Sequence, residues 1–133
     1  MTKHPVLLTL QISAALAALL SVVQAVLGFQ IVAGTWVESH GMIGNITFVV
    51  ALVAAVAAFL WMRRSGNKGL FMHAAGMAVI ALAQVALGEM GLRAAHIAVG
   101  VLFLLGAVAL ATLSFRKPGV VDAGPVPQER LQG

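Results

Sequence analysis

Residues 40–62, H-G-M-I-G-N-I-T-F-V-V-A-L-V-A-A-V-A-A-F-L-W-M, run without one Asp, Glu, Lys or Arg, and exceed the ~20 apolar residues that carry a helix across a bilayer core. Three other stretches have the same property: Pro5 to Val37, Gly69 to Gly88 and Ala94 to Phe115. The 133-residue chain is 61% hydrophobic and 9% charged, whereas a soluble domain carries roughly 25% charged residues. The expected fold is therefore all-α: an integral membrane up-down four-helix bundle, with helices at about 6–34, 40–62, 70–89 and 94–115, forming one domain over 1–117. The remaining 118–133 contain three prolines and no apolar periodicity, the composition of a disordered cytoplasmic tail.

The net charge of +4 does not point to nucleic acid, because the basic residues flank the apolar runs and form no basic face interleaved with aromatics. They read as topology determinants. Lys3, then Arg63, Arg64 and Lys68, then Arg116 and Lys117 mark one side, while Glu38, Glu89 and Arg93 occupy the other. The positive-inside rule then puts both termini in the cytoplasm of a multi-pass protein of the cell inner membrane. The first apolar run is about twice the length of a signal-peptide core and is read as a retained helix. No cysteine is present, which excludes disulfides, thiolate ligands, thiol catalysis and covalent c-type heme attachment.

An internal repeat organises the chain. Gln24-Ala-Val-Leu-Gly28 matches Gln84-Val-Ala-Leu-Gly88, and His40-Gly-Met-Ile-Gly44 matches His96-Ile-Ala-Val-Gly100. The interval from glycine to histidine is four residues longer in the first copy, and the difference is expected in the first outer loop. Two copies of one helical hairpin in the same orientation imply a pseudo-two-fold axis along the membrane normal, with both histidines at equal depth.

Helices two and four are diagonal partners in an up-down bundle, so His40 and His96 face one another near the outer surface. Two imidazoles suit a single six-coordinate iron, and the expected cofactor is one heme b with bis-histidine ligation. A zinc site would call for further ligands that the sequence does not bring near. Gly44 and Gly100, one turn beyond the histidines on the same face, are expected to make room for the flat macrocycle. Gly28 and Gly88 are expected to permit close packing, also against the heme edge. Arg93, three residues before His96, is placed to pair with a propionate, or with Glu89 as an ordinary loop charge. Glu38, two residues before His40, reads as either a group near the ring or a solvated carboxylate. His73 and His4 could form a second site at the inner end, but at the offset aligning the repeats His73 corresponds to Ser13. Gln11, Gln24, Gln30 and Gln84 are expected to bond between helices.

A histidine at the outer end of helices two and four, a glycine four residues after each, and Q-x-x-x-G ends on helices one and three resemble one half of the heme A synthase family, whose usual members carry two such modules in eight helices. The resemblance covers about residues 6–115. It implies that His40 and His96 are axial ligands to a b-type or substrate heme, and that an outer-loop carboxylate, for which Glu38 is the candidate, assists oxidation of a heme methyl group. The chain departs from the family in having one module and no cysteine pair, so the full complement of two sites would need a homodimer.

Three functions remain open. The first is a membrane cytochrome passing electrons between a quinol or redox protein and a larger respiratory complex. The second is a half-length heme A synthase-like oxidoreductase. The third is a heme-free accessory subunit. A small multidrug transporter fits less well, because no acidic residue lies mid-membrane.

Overall fold

The structure, a computed structural model, describes residues 4–121. Over them the chain forms four helices: α1 (Pro5–Val32), α2 (Ser39–Ser65), α3 (Lys68–Glu89) and α4 (Arg93–Arg116). All four are long and apolar enough to cross a membrane, and no strand occurs among the described residues. Expectation and structure agree on an all-α, four-helix membrane bundle.

Three of the helix boundaries have a clear local cause. Pro5 occupies the first turn of α1, where its missing N–H costs nothing, and His4 caps that turn by accepting from the Val6 amide through Nδ1 at 3.2 Å. α2 keeps Arg63 and Arg64 in its last turn and stops at Gly66, whose φ of 70° is a left-handed conformation that favours glycine. Asn67 then caps α3 by accepting from Leu70 N at 3.0 Å.

The helices meet in a ring: α1 packs on α2, α2 on α3, α3 on α4 and α4 on α1, while α1 and α3, like α2 and α4, face each other across the diagonal without backbone contact. Eleven of the seventeen buried hydrophobic residues are alanine, so the helices approach closely through small side chains, as they do in lipid. The large apolar residues point outward; Phe29, Val79 and Leu105 are each more than 60% exposed. Such a surface is stable only against hydrocarbon.

Packing is unequal along the bundle axis. At the end that carries the termini, burial begins at Leu10 in α1 and Leu70 in α3 and continues to Trp61 in α2 and Ser114 in α4. Toward the other end it stops at Ser21 and Ala81, and resumes only at Thr47 and Phe103. No residue in 22–46 or 82–102 is buried. At a helical rise of about 1.5 Å per residue, that leaves roughly 12 to 16 Å of every helix loosely packed at the end bearing His40 and His96.

The packed end is also cross-linked by polar contacts. Gln11 Nε2 donates to the Ser114 carbonyl at 2.9 Å, and His73 Nε2 pairs with the Gly106 carbonyl at 2.9 Å. Trp61 Nε1 donates to the Pro118 carbonyl at 2.6 Å, and Asn67 Nδ2 to the Lys117 carbonyl at 3.0 Å. The start of the tail is thus fastened to the α2–α3 turn; residues 122–133, most of the segment expected to be disordered, lie outside the described residues.

Candidate functional site

His40 is the second residue of α2 and His96 lies in the first turn of α4. Although these helices share no backbone contact, their imidazoles reach across the diagonal to ring centres 5.9 Å apart, with ring planes at 74°. The two histidines expected to converge therefore do so, at the loosely packed end.

The repeat is reproduced in contacts as well as in sequence. A Cβ added at Gly28 would meet His40 Cε1 at 3.6 Å, and one added at Gly88 would meet His96 Cε1 at 3.4 Å. Each imidazole thus lies over the glycine of the helix preceding its own, presenting the same ring atom to it. A Cβ at Gly44 would come within 2.9 Å of Gln24 Nε2, and one at Gly100 within 2.5 Å of Gln84 Nε2. Gly28 and Gly88 leave space beside the imidazoles; Gly44 and Gly100, expected to clear room for a macrocycle, leave it for glutamine amides of the neighbouring helix. The first copy has three more residues in its loop, 33–38 against 90–92, and three more in the helix beyond Gly28, while His40 stands two residues nearer its helix start than His96, which leaves the net four.

The glutamines build the layer around the rings. Gln24 Nε2 donates to the His40 carbonyl at 2.8 Å and ties α1 to the first turn of α2. In the second copy the backbone carbonyl of Gln84 pairs with His96 Nδ1 at 3.0 Å. A carbonyl only accepts, so His96 carries its proton on Nδ1, and Nε2 is left as the lone-pair donor. His40 Nδ1 has no equivalent partner: together with Gln24 Oε1 and Gln84 Oε1 it is buried and lacks a hydrogen bond. Three such atoms in one layer are unusual where nearly all buried polar groups are satisfied.

Glu38 precedes α2, is exposed and makes no capping hydrogen bond. Arg93 opens α4, is exposed, and makes no ion pair with Glu89 among the described residues. His73 is bonded to Gly106 and His4 lies against Trp61, ring centres 5.7 Å apart, so these two are held in separate contacts at the packed end. Among the described residues no three or more His, Cys, Asp or Glu side chains are grouped closely enough to hold a metal ion. The open end thus brings together two imidazoles from opposite helices, with glycines and glutamine amides beside them.

No protein-family model matches the chain, and no curated protein or solved structure is significantly similar to it.

Proposed function

We propose that the protein is a b-type cytochrome that holds one heme between His40 and His96 and transfers electrons within the membrane. The observation that carries the reading is the 5.9 Å separation of the two imidazole centres at the unpacked end of the bundle. Two imidazoles on opposite sides of one iron, each about 2.0 Å from it through nitrogen, hold their centres roughly 6 Å apart.

The surrounding residues fit that group. His96, oriented by the Gln84 carbonyl, offers Nε2 as a ligand, and a bonded second ring nitrogen is the usual support for a ligating imidazole. His40 supplies the opposite ligand, with its main chain held by Gln24. Arg93, exposed and without an ion pair, is available to a propionate carboxylate. Bound heme would supply a one-electron couple; the chain's contribution is to hold two neutral imidazoles on opposite helices, with the glutamines of the neighbouring helices beside them.

The charge distribution supports a cytoplasmic location for both termini, with Arg63, Arg64, Lys68, Arg116 and Lys117 at their end of the bundle. The heme then lies toward the opposite face of the inner membrane, within reach of a quinol or a redox partner on that side.

Absorption spectroscopy of detergent-purified protein from heme-replete cells tests the reading. Reducible, sharp α and Soret bands are expected, and the double variant His40→Ala/His96→Ala should be helical by circular dichroism yet colourless. A colourless parent protein, or heme retained by the double variant, refutes it. The mass of the extracted pigment distinguishes electron transfer from methyl oxidation assisted by Glu38: unmodified heme b is expected here, and a hydroxylated or formylated product would point to the enzyme.

A further inference from the structure

A second feature lies at the opposite end of the bundle and is independent of heme. The seam between α1 and α2 carries two adjoining cavities that share Val6 and Leu60. One, of about 320 Å³, is lined also by Thr9, Leu52, Val53, Val56 and Ala57. The other, of about 340 Å³, opens beside it and is lined also by Arg63 and Arg64. Each is as large as the smaller ligand pockets of proteins, roughly 300 Å³.

The groove has the polarity of one lipid molecule. Its long part is apolar, because the only hydroxyl, Thr9 Oγ1, is turned into a hydrogen bond with the Pro5 carbonyl at 3.0 Å. Its mouth is lined by two consecutive arginines, Arg63 and Arg64, and the Arg63 guanidinium carbon lies over the Phe59 ring at 5.9 Å. Among the described residues the only carboxylates, Glu38 and Glu89, are in or beside the loops at the far end, and neither of them is near this mouth. An arginine pair at the depth of the headgroups matches a phosphodiester, to which guanidinium binds in a bidentate manner, and basic pockets between helices are a recognised form of lipid site.

We propose that the α1–α2 groove is a binding site for an anionic phospholipid of the leaflet at the terminal end of the bundle, its acyl chain lying along Val53, Val56 and Leu60 and its phosphate held by Arg63 and Arg64.

Native mass spectrometry of the full-length protein in detergent, offered equal amounts of phosphatidylglycerol and phosphatidylcholine with identical acyl chains, tests the assignment. Phosphatidylglycerol adducts should exceed phosphatidylcholine adducts several-fold, and the ratio should fall close to one in Arg63→Gln/Arg64→Gln. Arg116→Gln/Lys117→Gln removes the same charge from the same end of the bundle away from the groove and should leave the ratio unchanged. Val56→Trp, which fills the apolar part from its exposed side, should reduce adducts of both lipids, and inorganic phosphate should not displace the bound lipid. Equal binding in the parent protein, a preference that survives loss of both arginines, or one that the Arg116/Lys117 variant abolishes equally would overturn the site. Displacement by phosphate would reduce it to a bare anion contact, and a dimer that Val56→Trp dissociates would assign the groove to a second copy of the chain; both results refute the proposal.

Discussion

Replacing the four glycines of the histidine layer one at a time by alanine gives a test with a predicted order. All four lie within helices, so each substitution brings a similar gain in helix propensity, at most about 0.5 to 1 kcal/mol. They differ in what the new Cβ would touch. At Gly28 the nearest atom is 3.6 Å away, an ordinary contact, and at Gly88 it is 3.4 Å. At Gly44 the Gln24 amide stands at 2.9 Å and at Gly100 the Gln84 amide at 2.5 Å, the last about 1 Å short of van der Waals separation. Because the propensity terms cancel in a difference, Gly100→Ala should be less stable than Gly28→Ala by the steric cost alone. Overpacking a well-packed core costs about 1 to 3 kcal/mol, and here, where the atom met is the end of a flexible side chain in a loosely packed layer, the cost lies at the low end, about 1 kcal/mol. Gly44→Ala should be no more stable than Gly100→Ala: its clash is smaller, but moving Gln24 breaks the bond to the His40 carbonyl, whose loss costs about 0.5 to 1.5 kcal/mol. The measurement is unfolding of cofactor-free protein in mixed detergent, followed by far-ultraviolet circular dichroism, which keeps the comparison free of any ligand. Gly100→Ala as stable as Gly28→Ala would show that the glutamines do not occupy this space, and the account of the repeat would fail with it.

Two further outcomes follow from hydrogen bonds in the same structure. His96 is braced through Nδ1 and His40 is not, and a missing partner of this kind lowers metal affinity about 10- to 100-fold; titration of hemin into the purified single variants should therefore show tighter residual binding in His40→Ala than in His96→Ala, and the reverse order would contradict the assignment. His73→Ala removes the α3–α4 bond to Gly106 and should lower unfolding stability by about 0.6 kcal/mol, the average for such bonds in membranes, while leaving any heme spectrum unchanged; loss of the spectrum would move the site to the other end of the bundle.

The four helices were legible because a bilayer imposes a length and forbids charge, and those two constraints leave four stretches of this sequence. Their ends were less so. Hydropathy placed the end of helix two at residue 62 and the start of helix three at residue 70, where polarity rises, but the backbone continues through Arg63, Arg64 and Ser65 to Gly66 and restarts at Lys68. Arginines at a helix end keep their stems in the apolar zone and extend their charges outward, so polarity rises before the helix stops. What ends α2 is the left-handed turn at Gly66, and what starts α3 is the Asn67 cap. Both signals are single residues, weaker in sequence than a run of twenty.

At the site, duplication exposed the histidines: a lone intramembrane imidazole is ambiguous, whereas two at matching positions on diagonal helices must approach each other. The glycines at +4 were read against an expected ligand, because spacing along one helix cannot show which neighbour fills the space beside it. That neighbour belongs to the preceding helix and carries a glutamine one turn before its own glycine, so Q-x-x-x-G and H-x-x-x-G are two halves of one contact: glutamine over the second glycine, histidine over the first.

The division of the bundle gives this layer its physical meaning. Close packing through alanine and the bonds from Gln11, His73 and Trp61 hold the helices together at the terminal end, so the opposite end need not be filled for the bundle to persist. If that end served stability alone, leucines would fill it better than His40, Gln24 and Gln84, each of which leaves a buried polar atom without a hydrogen bond. A buried group costs about 1 to 3 kcal/mol where neither protein, water nor ligand bonds it. A layer that is both loosely packed and polar contributes little to stability by itself, and a bound group that ligates the imidazoles and packs between the helices would add to it. Binding and stability are then linked, so a saturating ligand of this layer must raise resistance to unfolding, whereas one bound at the packed end has no such deficit to relieve.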